Sequence, residues 1–376
     1  MSGKWLKYGV GLDLSKDRIQ ACFGGLTPGF EFKVIAQRKF DNTNKGWQEL
    51  DKWLGAHRKD HTVVWRVVLE VTGVYHEGVL HYLHSKGSPV CMELPRRTKK
   101  YLESIGHKSK NDKLDGLGLA RMACERECTL WQPTSEHIMA IRALLRHRKA
   151  LLLVKNQLTN QLHALNHAAL DQKAVKKSLK QLINPLQKQI LEIETQALKL
   201  AKEDKDFYQR IATIVNSVKG LGFISVLIIV AEANGFEYFH SAKQLVNYAG
   251  LDIIERSSGQ SKSKTRISKQ GNAHIRAALY MPTLAIIRLK VQPFYALYLR
   301  LLVRNGGLKQ KAAVALHRKL LILIYTLWKN NVPFDPEYHL KFNAPVMHPT
   351  TLKTGSSDFA SELHEIVHAQ ECVTSH

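Results

Sequence analysis

Residues 63–71, Val-Val-Trp-Arg-Val-Val-Leu-Glu-Val, decide the fold of the first third of the chain. An apolar run rich in β-branched side chains is typical of a strand buried at the centre of a sheet. Gly73 follows the run, and the apolar spacing after it predicts a helix over about 75–86. Further strands are predicted at residues 8–14, 19–23, 32–40 and 89–93, and a further helix from a cap at Thr43 or Asn44 to about residue 57. Strands followed by strand–helix alternation predict an α/β domain with a mixed sheet.

The next stretch, residues 135–205, has apolar residues at three- and four-residue steps with basic residues between them. Its first series comprises Ile138, Ile141, Leu144, Leu145, Leu151, Leu152, Leu158, Leu162 and Leu165. This spacing predicts a long amphipathic helix, and the pattern resumes over 182–200 around Pro185. Such long helices favour a coiled-coil connector or dimerisation arm, although a helical bundle within one chain fits the same pattern.

Residues 211–250 combine a helical pattern, the turn Gly220-Leu221-Gly222 and a second, apolar helix that ends near Ala233. This order is that of a helix-hairpin-helix, whose glycines let backbone N–H groups approach a phosphate at a helix N-terminus. A plain tight turn between two helices fits equally well. Gly220 and Gly222 are therefore candidate nucleic-acid contacts.

The charge of the chain is strongly unbalanced. Its 376 residues contain 55 Lys and Arg against 32 Asp and Glu, which gives a formal net charge of +23. Residues 240–320 contain fifteen of the basic side chains and only two of the acidic ones, so they carry more than half of the excess. Such an excess repels itself unless a polyanion offsets it, and nucleic acid is the usual one. The 44% hydrophobic content excludes wholesale disorder.

The sequence gives weaker signals about the cellular compartment and about metal sites formed by histidines. Five cysteines without a CxxC pair argue against a disulfide framework and favour a reducing compartment. The amino terminus has no signal-peptide pattern, and the most apolar run, residues 223–231, is too short to span a bilayer. We therefore expect a cytoplasmic protein with no membrane partner. His81 with His84, and His163 with His167, have one-face helical spacing, but without a third ligand they predict no metal site.

Four acidic residues stand where predicted strands end or a helix begins. Asp13 ends the first strand, Glu70 ends the run that decides the fold, and Asp112 and Asp115 lie three apart on one helical face. Carboxylates gathered from separate segments repel one another unless divalent cations neutralise them. Mg²⁺ prefers carboxylate oxygens and leaves positions open for phosphate oxygens and water, and two such ions assist phosphodiester transfer. Each acid taken alone is also compatible with a cap or a surface position.

Ser257-Ser258-Gly259 is the second candidate site. A serine beside glycine is usually only part of a loop. Here polar and basic residues follow closely, and they are candidate phosphate contacts: Lys262, Lys264, Arg266, Lys269, Asn272 and Arg276. Their positive charges can hold a phosphate and offset the charge that builds up as an alkoxide attacks it. No His–Asp partner that would activate the serine lies in the local sequence.

Together these segments resemble the DEDD-plus-serine insertion-sequence transposases, also called bridge-RNA-guided recombinases, to which the pilin-gene DNA invertases are related. The resemblance runs through about residues 8–336 in the family's order. The motifs that carry it are Gly11-Leu12-Asp13, Glu70-Val71-Thr72-Gly73-Val74-Tyr75, Lys110-Asn111-Asp112-Lys113-Leu114-Asp115, Gly220-Leu221-Gly222, Tyr248-Ala249-Gly250-Leu251, Ser258-Gly259, Arg266-Ile267-Ser268-Lys269-Gln270-Gly271-Asn272, Arg276-Ala277-Ala278-Leu279-Tyr280-Met281-Pro282 and Asn331-Val332-Pro333-Phe334-Asp335.

The resemblance implies four regions. Residues 1–132 would form an RNase H-like catalytic domain similar to Holliday-junction resolvases. Residues 133–207 would form coiled-coil helices, and residues 208–340 a mostly α-helical transposase domain with the helix-hairpin-helix and the serine. Residues 341–376 have no counterpart in the family, and their composition predicts a flexible tail.

The resemblance also implies a chemistry. Asp13, Glu70, Asp112 and Asp115 would bind Mg²⁺ or Mn²⁺, and Ser258 would form a covalent phosphoserine link to DNA. The partners would be double-stranded donor and target DNA and a structured bridge RNA. The family assembles as a tetramer built from dimers, in which one subunit's carboxylates act with another subunit's serine.

This chain departs from the family pattern in a few places. Asp252-Ile253-Ile254 replaces the usual proline and basic residues after Gly-Leu, Gly116 replaces the more usual alanine, and Ser257 adjoins the expected nucleophile. The offset from Gly250 and the adjacency to Gly259 assign the role to Ser258, with Ser257 in reserve. Two other functions stay open: a structure-selective, metal-dependent nuclease that uses only the acids, and a non-catalytic nucleic-acid-binding protein.

Overall fold

A computed structural model describes residues 5–71, 73–106, 112–254, 257–258, 261–262 and 266–337. For residues 112–114, 257–258 and 261–262 the structure describes the backbone but not the side chains. The chain divides into two compact units, Met1–Ser135 and Glu136–His376. None of the helices in the described ranges combines the length and the apolar composition that crossing a membrane requires.

The first unit is built on a five-stranded mixed sheet with the strand order β3-β2-β1-β4-β5. Its strands are β1 (Lys7–Leu14), β2 (Arg18–Leu26), β3 (Phe32–Asp41), β4 (Val64–Glu70) and β5 (Val90–Glu93). The first three strands pair antiparallel, whereas β4 runs parallel to both β1 and β5. Within the described residues of this unit, the helices are α1 (Asn44–His57), α2 (Glu77–Ser85), α3 (Pro95–Ser104) and α4 (Asp112–Glu125). The predicted mixed α/β architecture is therefore confirmed for this unit.

The two faces of the sheet are covered differently because strand residues alternate between them. Tyr8, Val10 and Leu12 of β1 join a core that includes residues of α1 and α2. Val68 of β4 points to the opposite face and packs with residues of α3 and α4. β4 is covered on both sides, which explains its continuous apolar sequence.

The second unit is mainly helical. Its helices are α5 (Glu136–Asn166), α6 (Lys173–Glu203), α7 (Lys205–Ser217), α8 (Phe223–Glu232), α9 (Ala242–Tyr248), α10 (Ala273–Ala278), α11 (Tyr280–Arg288), α12 (Phe294–Arg304) and α13 (Lys309–Asn330). Between α9 and α10, the described residues form short strands of two residues each: β6 (Ile253–Ile254), β7 (Ser257–Ser258), β8 (Ser261–Lys262) and β9 (Arg266–Ile267). The helical character predicted for this part of the chain is confirmed.

The core of the second unit surrounds α8. Val226, Leu227, Ile229 and Val230 of this helix are fully buried, as expected of a helix that is apolar on all sides. The same core takes in the first turns of α5 and the last turns of α6 together with α7, α9 and α13. The start of α5 and the end of α6 are therefore part of this core, and the two long helices extend away from it.

The long helical pair matches the prediction except at the start of its second member. α6 begins at Lys173 rather than near residue 182, and Pro185 lies inside it. Val175, Leu179 and Leu182 continue the apolar three- and four-residue spacing before Pro185, so the helical pattern extends further upstream than predicted. The pair is joined laterally by an ion pair between Arg148 and Glu194 at 2.5 Å. The coiled-coil assignment stays a prediction.

Candidate active site

Asp13 and Glu70 lie on neighbouring parallel strands at the same edge of the sheet. β1 and β4 are in register up to the pair Leu12 and Leu69, so the next residues along the two strands are the two acids. Gly11 faces α4, and Val68 packs on that same side of the sheet. Because side chains alternate along a strand, Asp13 and Glu70 both point to that face.

α4 brings the other two predicted acids to this edge. The helix crosses β1 in the opposite direction: Gly9 meets Ala120 and Cys124, and Gly11 meets Gly116. The first turn, which begins at Asp112 and includes Asp115, therefore lies towards the end of β1 that carries Asp13. Gly116 also approaches the backbone of Gln20, the antiparallel partner of Asp13.

Two glycines of β1 make this crossing possible. A Cβ atom added at Gly11 would lie 2.1 Å from the Gly116 carbonyl oxygen, and one added at Gly9 would lie 2.2 Å from the Ala120 carbonyl oxygen. Real Cβ atoms do not approach a backbone so closely, so only glycine lets α4 lie directly on the strand. The motif Gly11-Leu12-Asp13 thus combines a packing requirement with the acid two residues later.

Glu70 is oriented by a threonine. The Thr98 hydroxyl on α3 donates a hydrogen bond to Oε2 of Glu70. Thr98 is almost fully buried, at 1% exposure. The bond ties the carboxylate to α3, and one of its oxygens is therefore already engaged by the protein.

The structure adds an acid that the sequence analysis did not single out, Glu93. It is the last residue of β5, and its register partner on β4 is Glu70. Its side chain is buried, and burial raises its pKa; Arg97, 3.1 Å away, opposes that rise. The available signal was its place at the end of a predicted strand, the same signal that identified Asp13 and Glu70.

The donor set at this edge consists of carboxylate oxygens, which suit a hard divalent cation such as Mg²⁺ or Mn²⁺. Among the side chains that the structure describes, no three His, Cys, Asp or Glu groups are arranged to hold a metal ion. The side chain of Asp112, the fourth member of the predicted tetrad, lies outside that set. The backbone thus gathers the four positions at one edge, and the metal site stays a prediction.

Ser258 lies in a short antiparallel hairpin of the second unit. β7 pairs with β8 so that Ser258 faces Ser261, and Ser257 faces Lys262. A separate pair, β6 and β9, places Ile253 opposite Ile267 and Ile254 opposite Arg266. The side chains of Ser257, Ser258 and Lys262, and all of Lys264, are among the residues that the structure does not describe.

The remaining predicted phosphate contacts of this segment divide into two groups. Arg266 and Lys269 are exposed. Arg276 donates to the carbonyl oxygens of Ala249, at 2.8 Å, and Gly271, at 3.1 Å. Asn272 accepts hydrogen bonds from the backbone N–H groups of His274 and Ile275, and so caps α10. Arg276 and Asn272 therefore have structural partners, while Arg266 and Lys269 are accessible to a ligand.

The turn between α7 and α8 has the predicted helix–turn–helix form. Gly220 has a φ of +99°, which favours glycine, and a Cβ atom there would lie 2.9 Å from Cγ1 of Ile286. Gly222 precedes α8 as its N-cap residue. The structure thus explains Gly220 by backbone conformation and packing, and phosphate binding by this turn stays a prediction.

The histidine pairs have neighbours of their own. His81 and His84 both contact the ring of Trp131 edge-on, at 4.9 and 5.2 Å between centroids. The rings of His163 and His167 lie 4.7 Å apart. Neither pair belongs to a group of three possible metal ligands among the described residues.

Two family models match this chain. One, a transposase model of the DEDD type named for IS110, matches residues 10–172. The other, described as the transposase IS116/IS110/IS902 family, matches residues 212–299. The first match contains all four predicted acids, and the second contains the hairpin with Ser258.

Individual proteins show the same similarity. The chain is 27% identical over 333 residues to the pilin gene-inverting protein of Moraxella bovis, a match that covers 88% of this chain and 98% of that protein. It is 24% identical over 288 residues to the transposase for insertion sequence element IS1111A of Coxiella burnetii, covering 69% of this chain and 77% of that protein. The structure of T. thermophilus RuvC in complex with a Holliday junction substrate matches 30% of this chain and 90% of its own, with 11% identity and a TM-score of 0.24.

Proposed function

The chain belongs to the IS116/IS110/IS902 transposase family, and on that premise we propose that it cuts and rejoins DNA through a covalent link between Ser258 and a DNA phosphate. The observation that carries the proposal is the meeting of Asp13, Glu70 and the first turn of α4 at one edge of the sheet. Its relatives are described as a gene-inverting protein and an insertion-sequence transposase. Both activities require DNA strands to be broken and joined to new partners.

The acidic edge is the proposed metal site. Asp13, Glu70, Asp112 and Asp115 would hold Mg²⁺ or Mn²⁺, which when bound stabilises charge on phosphate oxygens and lowers the pKa of a bound hydroxyl or water. Thr98 holds the Glu70 carboxylate in place before any ligand arrives. Preorganised ligands of this kind spare the site the cost of reorganisation during the reaction.

In the serine step, one phosphate ester bond forms for each one that breaks. Ser258 Oγ loses its proton to a base and forms a bond to phosphorus, while the bond from phosphorus to the leaving sugar oxygen breaks and that oxygen takes up a proton. A sugar hydroxyl of the new partner strand then attacks the phosphoserine, which restores the serine. Arg266 and Lys269, which are exposed beside the hairpin, would hold the phosphate and offset its developing charge.

The partners follow from the same proposal. Double-stranded donor and target DNA would be the substrates, and the basic excess of the chain is suited to their backbones. A structured bridge RNA would select the sites by base pairing, and a homotetramer built from dimers would hold two duplexes at once.

Adduct formation tests this function. Recombination-site DNA is incubated in Mg²⁺, in Mn²⁺ or in EDTA with the wild type, Ser258→Ala and Asp13→Asn, and protein–DNA adducts that resist SDS are counted. Of these three proteins, we expect adducts only from the wild type, and only with a metal. Ser257→Ala and Asp17→Asn are matched controls, since Ser257 adjoins the nucleophile and Asp17 is an exposed acid in the turn after β1; both should form adducts.

The other outcomes identify the alternatives. If DNA is cleaved without forming an adduct, and this cleavage persists in Ser258→Ala, the protein is the metal-dependent nuclease. Binding without cleavage by any variant would establish the non-catalytic nucleic-acid-binding protein. Loss of adducts in Ser257→Ala with retention in Ser258→Ala would move the nucleophile to the neighbouring residue.

A further inference from the structure

Glu232 is a buried carboxylate in an unfavourable place. It is the last residue of α8, an otherwise apolar helix, and its side chain is only 3% exposed. Burial disfavours its charge, and so does the negative end of the helix dipole. A charge in such a position is retained only with specific partners, so its partners indicate what it is for.

Those partners come from two distant parts of the chain. Arg146 of α5 donates through Nε to Oε1 at 2.7 Å and through an Nη atom to Oε2 at 2.8 Å. Asn272, just before α10, donates through Nδ2 to Oε2 at 2.8 Å. The Glu232 carbonyl oxygen accepts a further bond from the Tyr248 hydroxyl at 3.1 Å. One residue therefore connects a long helix to both ends of the segment that carries the serines.

Asn272 links Glu232 to the base of that segment, by which we mean the residues around Gly250 and Gly271 at its two ends. Its Oδ1 caps α10, and its backbone N–H donates to the Tyr248 carbonyl at 2.7 Å. Since Oδ1 and Nδ2 belong to one planar amide, Glu232 sets the orientation of the group that starts α10.

The two ends of the segment are then locked together. Lys269 N–H donates to the Gly250 carbonyl at 3.0 Å, and Ser268 N–H donates to the Asp252 carbonyl at 2.8 Å. A Cβ atom at Gly271 would lie 2.3 Å from the Tyr248 carbonyl oxygen, so the backbones are in direct contact. Along the chain, the paired strands β7 and β8 lie between these two joined ends.

We propose that Glu232 is a positioning residue, which holds the base of the serine hairpin in the orientation that DNA attack requires. This inference rests on the proposed role of Ser258. Glu232 acts through Asn272 and does not touch the DNA. Because a misplacement of about 1 Å at a reacting group can cost a hundredfold in rate, the geometry of the residues that join the two ends of this segment affects the chemistry.

The main test separates positioning from DNA binding. Glu232→Gln keeps the shape of the side chain but removes the charge that Arg146 and Asn272 share. We expect the rate of adduct formation at saturating DNA to fall about 10- to 100-fold, while the Kd for DNA changes less than about twofold. Glu194→Gln is the matched control, because it removes the charge from the ion pair between α5 and α6 with Arg148, far along the chain from the hairpin; its adduct rate should stay within about twofold.

A second readout does not depend on the serine chemistry. Hydrogen exchange is measured at the amides of Ser268, Lys269 and Asn272, whose acceptors form the base of the segment. Glu232→Gln should speed their exchange by about tenfold, with no change at the buried turns of α13. Asn272→Asp is the second variant: it keeps an oxygen to cap α10, loses the donor to Glu232 and adds a like charge, so the same amides should exchange still faster.

Each failure has a separate meaning. An unchanged adduct rate together with unchanged exchange in a folded Glu232→Gln protein overturns the positioning role. So does a loss of DNA affinity at a constant adduct rate. If Glu232→Gln does not fold, unchanged exchange in Asn272→Asp overturns it instead. Adducts that persist in Ser258→Ala contradict the proposed function, and the exchange data then still decide whether Glu232 orders the segment.

Discussion

The acids of the first unit are placed by backbone packing, whereas the segment that carries the serines is joined at its ends by backbone hydrogen bonds and also by buried, charged side chains. Asp13 and Glu70 reach one edge because β1 and β4 are parallel and in register, and α4 approaches them because Gly11 has no side chain. Glu232, Arg146 and Asn272 hold the base of the serine-carrying segment through charged hydrogen bonds. The first arrangement depends on space, and the second on charge, so different substitutions should disrupt them.

Gly11→Ala is expected to have the largest effect, and it tests the role of space. Its Cβ would lie 2.1 Å from one backbone atom of α4 and 2.3 Å from another, so the helix must move as a body. We expect a loss of about 3 kcal/mol or more in the stability of the first unit, measured by hydrogen exchange of β1 and α4 amides.

The control for this change is Gly55→Ala on the exposed side of α1, where a Cβ atom meets nothing within 4 Å. Alanine there should stabilise the helix by about 0.5–1 kcal/mol. Equal behaviour of the two variants would contradict the view that α4 is held by contact with the strand backbone.

His317 is a buried titratable side chain in the core of the second unit, and it makes the stability of that unit depend on pH. It lies on α13 at 7% exposure, and its Nε2 has no hydrogen-bond partner among the described atoms. Burial lowers the pKa of this imidazole to about 4. As the pH is lowered from 6.5 to 4, the His317 imidazole is protonated in the unfolded chain but not in the folded chain. The free energy of unfolding therefore decreases by about 3 kcal/mol over that range.

His317→Leu should remove most of this slope, as measured by urea unfolding followed through helical circular dichroism from pH 7 down to pH 4.5; the contribution of His274, whose pKa burial also lowers, remains. The Glu232 carboxylate does not interfere in that window. Burial raises its pKa, but hydrogen bonds from Arg146 and Asn272 outweigh burial and lower it from 4.5, so its contribution is lost only at lower pH. His240→Gln, at an exposed histidine of the same unit, is the control; a slope that is undiminished in His317→Leu would show that the buried ring of His317 is not its source.

Two helix caps provide the smallest and most direct comparison. Thr43 caps α1 with one bond, from the Gly46 N–H to its Oγ1 at 3.3 Å, and Thr43→Ala should cost about 1 kcal/mol. Asn272 caps α10 with two bonds and also donates to Glu232, so Asn272→Ala should cost about 2 kcal/mol. Hydrogen exchange of each first turn measures both, and equal costs would mean that the bond to Glu232 contributes nothing to stability.

Much of the first unit could be predicted because its signals are local. Strand ends and helix starts follow from patterns a few residues long, and the strand-end rule placed Asp13 and Glu70 correctly at the carboxyl ends of β1 and β4. The same rule applied once more would have found Glu93. The predicted start of α6 was too late, although Val175 and Leu179 continue its apolar spacing into the first two turns.

The base of the serine hairpin could not be predicted in the same way. Arg146 and Glu232 are 86 residues apart, and Glu232 and Asn272 are 40 apart. No periodicity links such positions. A glutamate at the end of an apolar helix is a weak signal in itself, because whether it is exposed or buried depends on what packs against the helix end.

The sequence by itself determined the classes of element, the basic character of the chain and the acids at strand ends, since side-chain alternation and helix periodicity act over a few residues. Only the tertiary structure decided that α4 lies directly on β1, that Glu93 is beside Glu70, and that Glu232 is buried against Arg146 and Asn272. Close packing and the pairing of buried charges depend on distances between segments that are remote along the chain, and those distances exist only once the chain has folded.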